Sequence, residues 1–336
     1  MNLIRLLAGE ISIRLTYKHI KYNNMKKVTV VGAGNVGATC ADVLAQKNFL
    51  DEVVLIDIKE GFAEGKALDI WEAAAINHFD TRVNGYTNDY SKTAGSEVVV
   101  ITSGIPRKPG MSRDDLITTN AKIMMDVVGK VQKYSPDAII IVVANPLDVM
   151  TYAAHKASGK AANKVFGMAG ILDTARYRSF LATELNVSPN DIQALLMGGH
   201  GDTMVPLPRF TTVAGIPVTT LVKKDRLDEI IERTKKGGGE IVKLLGTSAW
   251  YAPGAAAAQM VESIVNDQKH IFPVCVQLNG EWGQKDVYLG SPVRLGREGI
   301  EEIIEIELNE EEMADMETSS KAVKSVMDVF DGLNLM

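Results

Sequence analysis

From Met25 onward the chain alternates short apolar runs with longer stretches of helical periodicity. Val28–Val31, Val53–Asp57, Val98–Thr102 and Ala138–Ala144 are the strand-like runs, and a further short strand is expected around Lys164–Phe166. Val28–Val31 is apolar throughout, the pattern of a buried parallel strand. Helical segments such as Val36–Gln46 and Gly61–Ala75 lie between these runs. Such alternation predicts βαβ units, and hence an α/β fold built on a doubly wound parallel sheet of Rossmann type.

After Gly170 the pattern changes to a mixed α+β one. A helix is expected from about Asp173 to Leu185, a strand over Asp191–Leu196, and strand and turn over Val205–Val218. A long helical region follows, and Gly237-Gly238-Gly239 reads as a break between two helices before the pattern resumes to Leu245. Ala252–Asp267 is another helix. Ile271–Leu278 and Lys285–Val293, joined through Asn279-Gly280, read as an antiparallel pair. Asn309 caps a last helix to about Phe330, with Glu310–Glu312 complementing its N-terminal dipole. The expected division is an extension over 1–24, a dinucleotide-binding domain over 25–170 and a substrate domain over 171–336.

Composition narrows the function classes. A net charge of −6 leaves no general nucleic-acid footprint, so clustered arginines gain meaning. No apolar run approaches the roughly 18 residues of a membrane span. Cys40 and Cys275 are too few and too far apart for a disulfide framework or a zinc site, which fits a reducing cytoplasm. Met1–Asn24 carries Arg5, Arg14, Lys18 and Lys21 against Glu10 alone. That balance suits an organelle presequence, although Arg5 and Glu10 break its apolar part and argue against a secretory signal. Met25-Lys26-Lys27 leads directly into the first strand, so an upstream start or a disordered extension is the preferred reading.

The chemistry begins at the first strand's end. Gly32, Gly34 and Gly37 have the G-x-G-x-x-G spacing: a tight turn, a close approach for a pyrophosphate, and close packing of the next helix. Asn35 and Val36 open that helix, whose free N–H groups would face the pyrophosphate. Asp57 follows twenty residues after Gly37; a carboxylate there accepts bonds from a ribose and repels a 2′-phosphate, so NAD is favoured over NADP. The loop Ser103–Arg113 is rich in glycine and proline, with Arg107 and Arg113 as forks for carboxylates and Gly104 and Gly110 as hinges of a lid; a solvated basic loop would look the same. Asn145 at the end of the fourth strand can bond a ribose or a substrate oxygen, or simply make an asparagine turn. Asp173 and Arg176 share one helical face, as an ordinary ion pair would. His200, flanked by Gly198, Gly199 and Gly201, is the side chain best suited to exchange a proton near neutral pH, and Asp173 could fix its ring.

These motifs together resemble the lactate/malate dehydrogenase family, within it the lactate-dehydrogenase-like group of bacterial malate dehydrogenases. The residues that carry the likeness are Val31–Gly37, Gly104–Asp115, Val143–Asp148, Gly170–Arg176 and Gly198–Pro206, and it runs from about Met25 to the C-terminus. It implies reversible NAD-dependent oxidation of (S)-malate to oxaloacetate, a tricarboxylic acid cycle step that requires no metal, in a homodimer or homotetramer. By position, His200 would exchange the proton and Asp173 orient it. Arg176 would hold the C1 carboxylate, Arg113 polarise the C2 oxygen, and Arg107 read the far carboxylate. Asn145 and Asn120 would lie near cofactor and substrate, and Ser248 would form the pocket wall opposite the lid. The family's lactate enzymes usually carry Gln at the position of Arg107, which argues against a lactate or other 2-hydroxyacid dehydrogenase. Retention of His200, Asp173, Arg113 and Arg176 argues against a non-catalytic NAD-binding regulator. The helix around Gly61–Ala75, with Trp71, is expected to be either an interface element or ordinary core.

Overall fold

The computed structural model of the protein describes residues 25–106 and 112–335. The extension over 1–24 and Arg107 therefore lie outside the described residues. The apolar runs form β1 (Lys27–Val31), β2 (Glu52–Asp57), β3 (Arg82–Thr87), β4 (Val98–Ile101), β5 (Ile139–Val142) and β6 (Val165–Gly167). All are parallel, in the order β3-β2-β1-β4-β5-β6. Helices α1 (Asn35–Lys47), α2 (Phe62–Glu72), the one-turn α3 (Ala74–Asn77), α4 (Arg113–Tyr134) and α5 (Leu147–Ser158) provide the crossovers, and α6 (Gly170–Leu185) leaves β6. This is the doubly wound order whose crevice opens where the direction of winding reverses, between β1 and β4.

The sheet does not stop at β6. The second half of the chain contributes β7 (Ile192–Gln193), β8 (Leu196–Gly198), β9 (Met204–Pro206), β10 (Thr212–Val213), β11 (Ile216–Pro217), β12 (His270–Asn279), β13 (Lys285–Gly296) and β14 (Gly299–Ile303). Antiparallel pairing through β12, β13, β8 and β9, with β14 on β13, extends the parallel sheet to eleven strands. The remaining helices are α7 (Val218–Leu221), α8 (Lys224–Leu245), α9 (Tyr251–Val265) and α10 (Glu310–Gly332). One hydrophobic core runs the length of the large sheet. A second, smaller one lies beneath α6, α8 and the β7-β10-β11 sheet. α1 and α9 tie the halves together at close range: a Cβ on Gly254 would stand 2.8 Å from the Thr39 side chain.

Four local expectations need correction. Residues 191–196 are not one strand, because β7 pairs with β10 in the small sheet whereas β8 pairs with β9 and β13 in the large one. The Gly237–Gly239 break is absent: α8 is continuous, its buried residues Leu227, Ile230, Thr234 and Gly237 keeping helical spacing. Gly237 is there for space, since a Cβ would lie 3.2 Å from Arg176 Cδ. The helix expected over Gly61–Ala75 is two, α2 ending at Glu72 and α3 starting at Ala74; Trp71 of α2 lies partly buried, edge-on to Phe79 with the Arg82 guanidinium over its ring.

The fourth is β3, which was not anticipated. Asn84 and Gly85 are poor strand formers, yet α2 crosses β3 so closely that a Cβ on Gly85 would stand 2.1 Å from the Ala63 carbonyl oxygen. Gly85→Ala is therefore expected to destabilise the chain by about 1–3 kcal/mol, as overpacking does. A urea midpoint equal to that of the unaltered chain would show that α2 can move aside.

Candidate active site

The turn after β1 is built from backbone. Gly32 has φ +104°, and a Cβ there would stand 2.7 Å from Thr102 Oγ1. Thr102 in turn donates to the Gly32 carbonyl at 3.0 Å, locking the end of β1 to the end of β4. At Gly37 a Cβ would fall 1.8 Å from the Gly32 carbonyl oxygen, so helix and turn touch with nothing between them. Gly34 differs: a Cβ would meet nothing within 4 Å. It is the N-cap of α1, which has no side-chain cap, so no side chain occupies the first-turn N–H groups at Asn35 and Val36. Asp57 closes the site: one carboxylate oxygen accepts the Ala33 N–H at 2.7 Å and the other the Lys59 N–H at 2.9 Å. An open backbone cradle with a fixed carboxylate beside it fits the pyrophosphate and ribose of a dinucleotide.

A second cluster is built from buried and half-buried side chains. Asp173, in the first turn of α6, is 2% exposed. Its Oδ2 lies 2.8 Å from His200 Nδ1 and its Oδ1 accepts from Arg176 Nη1 at 3.1 Å. Burial works against a charge on His200, but the Asp173 carboxylate, the bond to it and the Asp148 carboxylate outweigh that loss and Arg176's opposition, so the imidazole pKa is raised. With Nδ1 held, Nε2 is the free ring nitrogen.

The glycines around His200 do not merely give the ring room. Gly198 has φ +81°, and a Cβ on Gly199 would stand 2.7 Å from Val323 of α10. Gly199 N–H donates to Ser319 at 2.7 Å, also on α10. His200 N–H donates to Asp148 Oδ2 at 2.8 Å. Asp148, in the first turn of α5, was not singled out from the sequence, although it ends the Asn145–Asp148 segment at the crevice. A buried acid two residues after an Asn-Pro pair was the available signal.

The other expected residues are placed as follows. Asn145 is exposed at the end of β5, before a cis peptide bond to Pro146. Ser248 is exposed between α8 and α9. Arg113 opens α4, whose start is set by a capping box: Asp115 N–H donates to Ser112 Oγ at 3.0 Å and Ser112 N–H donates to Asp115 at 3.1 Å. Asn120 is 1% exposed. Its Oδ1 accepts the Ile105 N–H at 2.8 Å, and its Nδ2 donates to the carbonyls of Ile105 at 3.1 Å and Asn145 at 2.6 Å. It therefore clamps the root of the 103–113 loop to the end of β5.

Asn120→Ala would strand a backbone N–H and two carbonyls. A loss of about 1–3 kcal/mol is expected, with faster amide hydrogen exchange at Ile105. Unchanged exchange at Ile105 would show that water replaces the clamp.

Comparison with known proteins places this geometry. Residues 26–167 match the family model described as lactate/malate dehydrogenase, NAD binding domain, and residues 171–331 the model described as lactate/malate dehydrogenase, alpha/beta C-terminal domain. The chain is 70% identical over 307 residues to a malate dehydrogenase of Cytophaga hutchinsonii, covering 91% of this chain and 98% of that one. A solved malate dehydrogenase from Salinibacter ruber superposes with a TM-score of 0.88 at 56% identity, covering 91% of this chain and 98% of the other. A lactate dehydrogenase from Cryptosporidium parvum, solved with lactic acid and the nicotinamide cofactor, superposes at 0.87 with 37% identity, covering 91% and 98%.

Proposed function

The chain belongs to the lactate/malate dehydrogenase family, and on that premise we propose that it interconverts (S)-malate and oxaloacetate with NAD, as the tricarboxylic acid cycle requires. The observation that carries this reading is the sharing of buried Asp173 between His200 and Arg176. It supplies a proton-exchanging ring and a fixed guanidinium side by side, as a 2-hydroxy acid needs.

Residues 25–170 would hold the cofactor through the Gly32–Gly37 turn and Asp57, and residues 171–336 most of the groups that act on the substrate. Bound NAD supplies hydride transfer, and the protein supplies position and field. In malate oxidation His200 Nε2 takes the C2 hydroxyl proton, and in the reverse direction it returns it. Asp173 stabilises the imidazolium so formed. Arg176 pairs with the C1 carboxylate through the N–H groups that Asp173 leaves free. Arg113, at the start of α4, polarises the C2 oxygen, and Arg107 meets the far carboxylate. Asn145 bonds near the nicotinamide ribose, Asn120 acts by holding the backbones of Ile105 and Asn145, and Ser248 walls the pocket. Fixed anchors of this kind turn an encounter into a near-unimolecular step.

Assembly into a homodimer or homotetramer is part of the same reading. It is supported by apolar side chains left exposed on two helices, Leu68 of α2 and Val242, Leu244 and Leu245 of α8. A cytoplasmic location fits two free, buried cysteines, and no helix among the described residues is long and apolar enough to cross a membrane.

Two experiments test the reading. His200→Asn is expected to bind NADH normally and lose turnover by about 10²–10⁴-fold or more; near-normal turnover would remove His200 from the chemistry. Arg107→Gln should lower kcat/KM for oxaloacetate steeply and raise it for pyruvate, because a buried carboxylate without a partner and a guanidinium without one are both costly. At about 1.4 kcal/mol per factor of ten, the expected change in the ratio is roughly 10³. Arg113→Gln should damage both substrates, since the C2 oxygen is common to them. An unchanged oxaloacetate-to-pyruvate ratio in Arg107→Gln would defeat the assignment to malate.

A further inference from the structure

Behind His200 lies a second acid that the proton-transfer scheme does not use. Asp148 is 8% exposed. Its Oδ2 accepts the His200 backbone N–H at 2.8 Å, while its Oδ1 is buried and receives no N–H or O–H, the Cys275 thiol being the neighbour within reach of the carboxylate. An asparagine or a serine would hold that N–H equally well, so a carboxylate, which is costly to bury, calls for a further reason. Among the described residues the one cation acting on it is His200 itself. Cys275 on β12 offers the same carboxylate only a neutral S–H, since burial and the nearby Asp148 charge push the thiol pKa well up. Asp148 also sits in the first turn of α5, where the helix N-terminus favours an anion.

We propose that Asp148 is a positioning residue for His200: a second buried carboxylate, on α5 where Asp173 is on α6, that fixes the backbone of His200 and whose charge favours the protonated imidazole. The inference rests on the reading of His200 as the proton-exchanging group. Coupling between two charges is reciprocal, so an acid stabilised by the imidazolium stabilises the imidazolium in return. The directions agree. Burial pushes the Asp148 carboxyl up, the His200 charge and N–H draw it back, and the Asp173 charge adds to the rise. Its ionised form is thus held most firmly when His200 carries a proton.

The groups facing His200 can be named element by element. α6 presents Asp173 and Arg176, and α5 presents Asp148. α10 presents Ser319, uncharged, against the neighbouring Gly199. Asp202, in the same turn, is exposed. Removing the Asp148 charge therefore leaves Asp173 alone to oppose burial and Arg176.

The test is Asp148→Asn in the full chain, with Asp148→Ser as a second charge-free variant that still offers the His200 N–H an acceptor. The chain has five histidines, and labelled imidazole signals report their titration without any need for turnover; the His200 signal is the one missing in His200→Asn. In either variant the His200 midpoint is expected to fall, the other histidines staying in place. The pH midpoints of kcat/KM for malate oxidation and for oxaloacetate reduction should move down with it. A His200 midpoint unchanged in both variants would overturn the proposal, leaving Asp148 as a mere acceptor for a backbone N–H. Absence of oxaloacetate turnover in the unaltered chain would instead defeat the proposed function, and the two failures are read from different measurements.

Discussion

The Asp173 carboxylate gives one oxygen to His200 and the other to Arg176, at 2.8 and 3.1 Å. A carboxylate this deeply buried is tolerable only if both oxygens are satisfied by charge or hydrogen bond. The two partners come from different places: Arg176 is one turn along the same helix, whereas His200 lies on a turn after β8. The rest of the architecture serves that meeting. β8 reaches the parallel sheet only through β12 and β13. The contact that seats it is backbone on backbone, since a Cβ on Gly290 of β13 would stand 2.7 Å from the Gly198 carbonyl oxygen. A continuous sheet is thus the physical means by which Asp173 beside β6 and His200 beside β8 come within one hydrogen bond.

The two sides of the site use different physics. The cofactor side depends on absent side chains: Gly32, Gly34 and Gly37 leave N–H groups open to a ligand that brings its own negative charge. The cluster of Asp173, His200 and Arg176 depends instead on side chains that already bond one another. Pairing of that kind fixes the groups in advance, the condition under which electrostatic stabilisation acts without reorganisation.

How much of this was legible in the sequence follows from that contrast. The glycine turn and Asp57 could be read from spacing, which reports local backbone geometry; Asp173 and Arg176 read by themselves as an ordinary ion pair and His200 as a roomy turn histidine, and it was the family resemblance that joined them. The parallel strands were visible because runs such as Val98–Ile101 are buried on both faces and read as unbroken apolar segments. β3 was not, since its Asn84 and Gly85 answer to the crossing of α2 rather than to strand propensity. Asp148 and the role of Asn120 were hidden for a related reason. Their partners are backbone groups 52 and 15 to 25 residues away, and a backbone N–H or carbonyl carries no residue identity to read.

The three glycines of α8 show how such a hidden constraint inverts a local rule. Glycine in a helix interior costs about 1 kcal/mol relative to alanine, so three in succession argue for a break. The helix continues because its other contacts outweigh that loss: Leu227, Ile230 and Thr234 are buried, and Gly246, with φ +72°, caps its end. Arg176 requires the opening. Its aliphatic stem lies where a side chain on Gly237 would go, and a Cβ on Gly238 would approach Nη2 to 3.9 Å. A bulkier residue at 237 would push the stem away from α8 and, with it, the guanidinium from Asp173. The glycine at 237 is thus explained by the charge pair on α6. Gly239, whose Cβ would meet nothing within 4 Å, has no such account.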